Sequence, residues 1–124
     1  MERVYTMTDY YDGPREGIAD FEGRPHLYER VFDDEEGPTE FFELREVDAD
    51  TFALALEAWG IWLRWHEAYH SGTTTIETHP ALPEDRARHD QLRALLEPRL
   101  RAGSSFRVTG QFNGPATRVR WTKA

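Results

Sequence analysis

Between residues 48 and 70 the chain holds no proline and a single glycine, Gly60, and strand-forming runs stand on either side of this stretch. So long a segment without breakers predicts one helix. Asp48 or Asp50 is its expected cap, since a carboxylate there accepts orphan amides of the first turn and meets the positive end of the helix dipole. On a helical wheel Glu57, Gly60, Arg64, Glu67 and Ser71 form one polar stripe. Phe52, Ala55, Leu56, Trp59, Trp62, Leu63 and His66 lie opposite, and Leu54, Ile61 and Trp65 flank the stripe. A helix apolar around most of its circumference is expected at the centre of a fold, covered by a sheet on one side and by something else on another. Gly72 is its expected stop.

The flanking runs read as strands. Val4, Tyr5, Thr6, Met7, Thr8 and Tyr10 favour extended backbone, and Asp12-Gly13-Pro14 supplies turn chemistry. Residues 17–21 and 26–32 predict a hairpin around Glu22-Gly23-Arg24-Pro25. The acidic run at 33–36 reads as a solvated loop, and residues 39–47 as a further strand. After the helix, residues 71–83 form a loop whose two prolines exclude regular helix. Pro83 suits the first position of a second helix with Leu92, Leu95, Leu96 and Leu100 on its apolar face, which Pro98 is expected to bend or shorten. Phe106–Phe112 and residues 117–122 predict a closing hairpin around Asn113-Gly114-Pro115. The sum is a single α+β domain over residues 1–124, with an antiparallel or mixed sheet of about five to six strands packed against two helices.

Composition limits what such a domain does. A chain of 124 residues suits one compact core, and 13% aromatic residues against 31% charged ones favour a folded chain with a charged exterior. No cysteine is present, so any metal must be held by imidazole and carboxylate, and an intracellular, cytoplasmic location fits best. The N-terminus lacks an apolar signal core, and no run approaches the ~18 apolar residues of a membrane span, so a soluble protein is expected. Residues 1–50 carry 16 acidic and five basic side chains, net -11, while residues 51–124 carry a net +3. The acidic half repels a phosphate backbone and an anionic membrane surface, which argues against nucleic-acid and membrane partners and for basic ones. No P-loop, G-x-G-x-x-G or G-x-S-x-G pattern occurs, so nucleotide hydrolysis and serine hydrolase chemistry have no support.

One spacing suggests a reaction. His66, Glu67 and His70 spell H-E-x-x-H, which on a helix stacks two imidazoles one turn apart with a carboxylate beside them. This resembles the zincin metallopeptidase motif over five residues, and the resemblance implies His66 and His70 as zinc ligands and Glu67 as the base. A third ligand would come from His79, Glu77, Asp85 or His89. The longer metzincin pattern places glycine three residues after the second histidine and a third histidine three beyond, whereas Gly72 comes two after His70 and Thr75 holds the last place. The competing reading is that His66 and His70 sit in the middle of the apolar face, bonded to backbone or carboxylate within the core.

Two further groups are candidates. The loop at 73–86 is rich in hydroxyls and carboxylates and contains Glu77 and His79; it reads either as a ligand-contacting loop or as a capped connector. Tyr10, Tyr11, Asp12 and Arg15, with His26 and Tyr28, form a polar-aromatic group that is either a binding surface or the edge of a core. The segments Asp9-Tyr10-Tyr11-Asp12-Gly13-Pro14-Arg15 and Thr78-His79-Pro80-Ala81-Leu82-Pro83-Glu84-Asp85-Arg86 together resemble a family of small bacterial proteins of unknown function, which implies a single-domain protein and no particular activity. The functional expectation is a small acidic cytosolic module that binds a protein or small ligand through Tyr11, Arg15, Trp62, Trp65 and Glu77, with no cofactor. A zinc-dependent hydrolase built on His66, Glu67, His70 and His79 is the alternative, and a homo-oligomer meeting through the Trp-rich face is a third expectation.

Overall fold

The computed structural model describes residues 1–32 and 39–124, so the acidic run expected as a solvated loop lies outside the described residues. The chain divides into two compact units, one formed by Met1–Asp48 with Leu100–Ala124 and the other by Ala49–Arg99. The first holds seven strands: β1 (Glu2–Arg3), β2 (Asp9–Tyr10), β3 (Pro14–Phe21), β4 (Arg24–Val31), β5 (Phe41–Glu46), β6 (Phe106–Phe112) and β7 (Arg118–Lys123). They form one antiparallel sheet in the order β1-β7-β6-β5-β4-β3-β2, and with two helices in the second unit the fold is α+β. The expected strand count falls short because the first strand, read as one run, is two short pieces on either side of a bridging segment.

That segment closes the sheet. β1 pairs with β7 through Glu2 opposite Val119 and Arg3 opposite Arg118, and the next residue, Val4, bridges to Ala19 of β3. The amides of Tyr5 and Thr6 both donate to the carbonyl of Ile18, at 2.8 and 3.2 Å, and the Thr6 hydroxyl accepts from the Ile18 amide at 2.8 Å. The N-terminal strand therefore bonds β7 on one side and β3 on the other, which leaves the long strands without a free edge between them. The β3–β4 turn helps to set the register: Glu22 and Gly23 take φ of 53° and 76°, the paired left-handed geometry of a two-residue hairpin turn. At the other hairpin the Asn113 side chain accepts from the amides of Thr117 and Arg118 at 2.8 and 3.1 Å.

Strand alternation sorts the side chains between two faces. Ala19, Tyr28, Phe42, Leu44, Val108 and Val119 are buried together, with Val4, Phe21, Phe112 and Trp121 packed around them. Tyr28, Phe42, Phe112 and Trp121 form a cluster of tilted and edge-on rings with centroids 5.4 to 6.1 Å apart, the arrangements that ring quadrupoles favour. So many rings fit because glycine faces them at two places. A Cβ on Gly110 would lie 2.5 Å from the Trp121 ring. One on Gly17 would collide with the Thr6 carbonyl and lie 2.6 Å from the Tyr28 hydroxyl, which donates to that same carbonyl at 2.9 Å. His26 and Tyr28, expected beside Tyr11 and Arg15, are buried instead: His26 lies against Phe21 and Phe106, and its Nδ1 donates to the Arg24 carbonyl at 2.8 Å.

The opposite face carries a row of acids. Register places Glu16 beside Glu29, Glu29 beside Glu43, and Glu43 beside Arg107. Glu16 is pushed above its ordinary value by burial first and then by the Glu29 and Asp9 carboxylates, while Arg101 acts in the other direction.

In the second unit, α1 (Ala49–His70) begins directly after Asp48 and has Asp50 in its first turn. It ends as Gly72 predicts: Gly72 takes φ of 81°, its amide donates to the Tyr69 carbonyl at 3.2 Å, and the Thr73 amide donates to Ala68 at 2.9 Å, the two bonds of a Schellman cap. Short 3₁₀ turns at Ile76–Thr78 and Pro83–Asp85 lead into α2 (Arg86–Leu100). Pro98 neither ends nor shortens α2 before Leu100, since it falls in the last turn, where its missing amide removes only one bond. No helix among the described residues is long and apolar enough to cross a membrane.

Two outcomes follow from these contacts. Gly17→Ala is expected to destabilise the protein by about 3 kcal/mol or more, because its methyl meets backbone that cannot retreat. Gly60→Ala, whose Cβ meets only an Arg64 terminal nitrogen at 3.8 Å, is expected to stabilise by about 0.5–1 kcal/mol, both variants being compared with the parent by urea titration. Glu16→Gln tests the acidic row. A raised folded-state pKa means that stability is greatest below the ordinary value of 4.5 and is lost as pH rises through the raised value, so the variant should be the more stable protein at neutral pH. The advantage should vanish as pH falls below 4.5, where the parent side chain is also neutral; an advantage that persists there would assign it to packing.

Candidate functional site

Two paired charges tie α1 to the segment that follows it. Arg88 grips both oxygens of Glu57, at 2.5 and 2.7 Å, and Arg64 grips both oxygens of Asp85, at 2.9 and 3.1 Å. The guanidinium of Arg88 holds Glu57 below the usual carboxylate range, and Asp85 holds Arg64 above its own. Glu57 and Arg64 belong to the polar stripe of α1, so these ties engage that stripe.

Beside the stripe runs an apolar seam. Phe52, Leu56, Trp59, Leu63, His66 and His70 follow one another at spacings of four, three, four, three and four residues, the period that keeps one line of side chains facing a partner helix. Leu56 is 37% exposed and Leu63 44%, Phe52 and Trp59 are half-buried, and His66 and His70 are exposed. The burial expected all around α1 is confined to Thr51, Ala55, Ile61 and Trp65. The difference is physical: the wheel separates apolar from polar residues, but it does not tell an apolar line that is covered from one that is left open.

Rings stack along this side of the helix. Trp59 lies flat on Trp62 with centroids 4.9 Å apart, Trp62 meets His66 at 4.8 Å, and His66 meets His70 at 4.3 Å. Neither imidazole is buried, and neither makes a hydrogen bond to a described residue, so the expectation of core histidines bonded to backbone or carboxylate does not hold. Glu67 is exposed as well. His79, the expected third ligand, instead stands edge-on to Trp65 at 4.6 Å. Among the described residues no three histidine, cysteine, aspartate or glutamate side chains come together as a metal cluster. The structure thus brings His66 and His70 together and places His79 elsewhere.

The loop after α1 is organised around one hydroxyl. Thr78 Oγ1 accepts from the Trp65 indole at 2.9 Å, donates to the Thr75 carbonyl at 2.8 Å and lies 2.6 Å from the Thr74 hydroxyl. Arg86 fastens the next turn by donating to the carbonyls of Thr78 and His79, at 2.9 and 3.3 Å. Glu77 is exposed on the 3₁₀ turn, held below its usual range first by the Thr75 hydroxyl and then by its own backbone amide. These bonds describe a tied connector with Glu77 on its surface.

In the strand unit, Arg15 lies over the rings of both Tyr11 and Phe32, 4.8 Å from each, and its Nε donates to the Tyr11 carbonyl at 3.3 Å. Tyr11 and Phe32 are exposed. Tyr11 and Arg15 are therefore neighbours, as expected, and Phe32 is the member that sequence reasoning missed.

Thr78→Val keeps the shape of the side chain and leaves the buried Trp65 indole without its acceptor. It should cost about 1–3 kcal/mol in chemical denaturation, whereas Thr78→Ser, which retains the hydroxyl, should cost clearly less. Equal losses in the two variants would show that the bond contributes nothing.

No family model, curated protein or solved structure matches the chain.

Proposed function

We propose that this chain is a small cytosolic binding module that docks a protein through the apolar seam of α1. The single observation that carries the reading is the line Leu56, Trp59 and Leu63, set at coiled-coil spacing while Leu56 and Leu63 stay more than a third exposed. Large aromatic side chains supply most of the energy in docking surfaces, and the stacked Trp59–Trp62 pair presents such area with few rotatable bonds to order. Trp62 contributes from within the stack, while Trp65, buried and bonded to Thr78, supports the surface from behind.

Charge supports a protein partner over a polyanion. The formal charge of -8 disfavours nucleic acid and an anionic membrane surface, and it favours a partner that is basic or brings positive charge with it. Arg15, Tyr11 and Phe32 form a smaller exposed patch to which we assign a secondary contact at most. The zinc-hydrolase alternative requires a third ligand beside His66 and His70, and its leading candidate, His79, is engaged with Trp65.

A photo-reactive phenylalanine analogue placed in the intact protein tests the seam. Position 63 should give a discrete cross-linked species in cells, and position 93, an exposed residue of α2, should give none. Leu56→Glu should abolish the species formed from position 63 while leaving the circular dichroism spectrum unchanged. The reading falls if position 63 yields no adduct, or the same smear as position 93.

A further inference from the structure

Three neighbouring strands oppose the charge of the chain as a whole. β1, β7 and β6 together carry Arg3, Arg107, Arg118, Arg120 and Lys123 against one acid, Glu2, in a protein whose formal charge is -8. Glu2 is turned to the β3–β4 hairpin, where its carboxylate accepts from the Gly23 amide at 2.9 Å. Register sets two guanidinium side chains beside each other, Arg3 directly opposite Arg118, and Arg120 follows two residues along the same face. Like charges so placed destabilise a ladder. Among the described residues Arg3, Arg118 and Arg120 form no ion pair, and the Asp20 carboxylate accepts the Tyr5 hydroxyl at 2.9 Å in place of a guanidinium. A cleft of about 350 Å³ opens on this face, lined by Glu40, Thr109, Gln111, Arg120 and Thr122 among others. Pairing puts Arg120 opposite Gln111 and Thr122 opposite Thr109, so these four side chains form a block on the side of the hairpin away from Val119 and Trp121. Its polar groups are of two kinds. Arg120, the Gln111 side-chain amide and the Thr122 hydroxyl have no hydrogen-bond partner among the described residues and offer donors. The Thr109 hydroxyl donates to the Thr122 carbonyl at 3.3 Å, which leaves its lone pairs as acceptors, and Arg30 holds the Glu40 carboxylate at 3.0 Å.

We propose that this cleft binds a small phosphate ester with a hydroxyl-bearing body, its phosphate on Arg120, Gln111 and Thr122 and its hydroxyls on Thr109 and Glu40. Three separate donor groups call for three acceptor oxygens, which a phosphate monoester has and a carboxylate lacks. Arg120 supplies the planar fork that matches two of them. Size argues for the organic body: a water takes up about 30 Å³, so a bare oxyanion would leave most of the cleft empty. Charge argues against a polymer. The acids Glu29 and Glu43 continue the same face of the sheet beyond Arg107, and a polyanion that extended past the cleft would meet them. For a small ligand the repulsion of the distant acids is screened beyond about 8 Å at physiological ionic strength, and the guanidinium groups close by decide the sign. A bound dianion also offsets the repulsion between Arg3 and Arg118. The cleft lies wholly in the strand unit, and the reading of the α1 seam neither supports nor weakens it.

Isotope-labelled full-length protein is titrated with glycerol phosphate at constant ionic strength and followed by amide NMR shifts, with inorganic phosphate and glycerol as separate arms. Saturable shifts are expected at Thr109, Gln111, Arg120 and Thr122, at lower concentration with glycerol phosphate than with inorganic phosphate, and none with glycerol. Arg120→Gln should weaken binding about tenfold or more, the loss of a charge-assisted contact, and Thr122→Val about threefold. Arg99→Gln, at an exposed position of α2, should leave it unchanged. Arg120 and Thr122 are exposed, so both cleft variants should keep the parent circular dichroism spectrum. Absence of saturation overturns the proposal. Shifts spread over the surface arginines and indifferent to Arg120→Gln overturn it as well, because they describe charge screening with no site. Equal affinity for inorganic phosphate and glycerol phosphate overturns the ester and leaves a contact for bare oxyanions.

Discussion

A single close approach organises the strand unit: the Thr6 carbonyl passes over Gly17 and receives the Tyr28 hydroxyl at 2.9 Å. Because Gly17 has no side chain, the N-terminal segment can lie against β3, and because it lies there, β1 can reach β7 and the sheet can close. Closure has a second effect. It gathers one face of every long strand inward, where alternation places Tyr28, Phe42, Phe112 and Trp121, and it removes the open edge along which an aromatic-rich sheet would otherwise pair with other chains. Burial first, and then the Glu16 carboxylate, push the Tyr28 phenol above its ordinary value.

The helical segment leaves the sheet after β5 and returns at β6, and those two strands are direct neighbours. A sheet whose strands 14–46 and 106–123 pair without a gap does not need the intervening residues to complete its hydrogen bonding. The segment between them is free of that structural duty. It keeps its own internal ties, the Glu57–Arg88 and Arg64–Asp85 pairs and the Thr78 hub, and these are side-chain bonds that a short excursion can make locally.

Much of this was legible in the chain. The α1 boundaries, the Gly72 cap, the Glu22-Gly23 hairpin and the closing hairpin around Asn113 each depend on chemistry within a few neighbouring residues, and local patterns report such chemistry directly. Strand pairing across distant segments was less accessible. Nothing near residue 4 announces that it will bridge to residue 19, because the deciding feature is an absent side chain at Gly17, remote in sequence. His26 and Tyr28 were grouped with Tyr11 and Arg15 by their polar-aromatic character, yet strand alternation places the first two inside and leaves the others exposed. For the candidate site the histidine spacing was visible and its environment was not. Exposure of His66 and His70 depends on which side of α1 is engaged by Arg88, in the first turn of α2, and by Asp85, in the 3₁₀ turn before it, and their partners cannot be chosen from sequence alone.

The seam carries an argument that composition alone does not. Leu56, Leu63 and the tryptophans could in principle be covered by any apolar surface, since burial is non-directional. Their repeat is directional: spacings of four and three hold a straight line of side chains only for a helix that bends around another helix, and a line of that kind continued by two imidazoles has a defined end. Apolar residues set how strongly such a line associates, whereas polar or metal-binding residues within it set register and the number of strands, because a misplaced partner leaves them unsatisfied. His66 and His70 occupy the last turn of the helix and continue that line to its end. An apolar seam with no such element would accept many partners at many offsets.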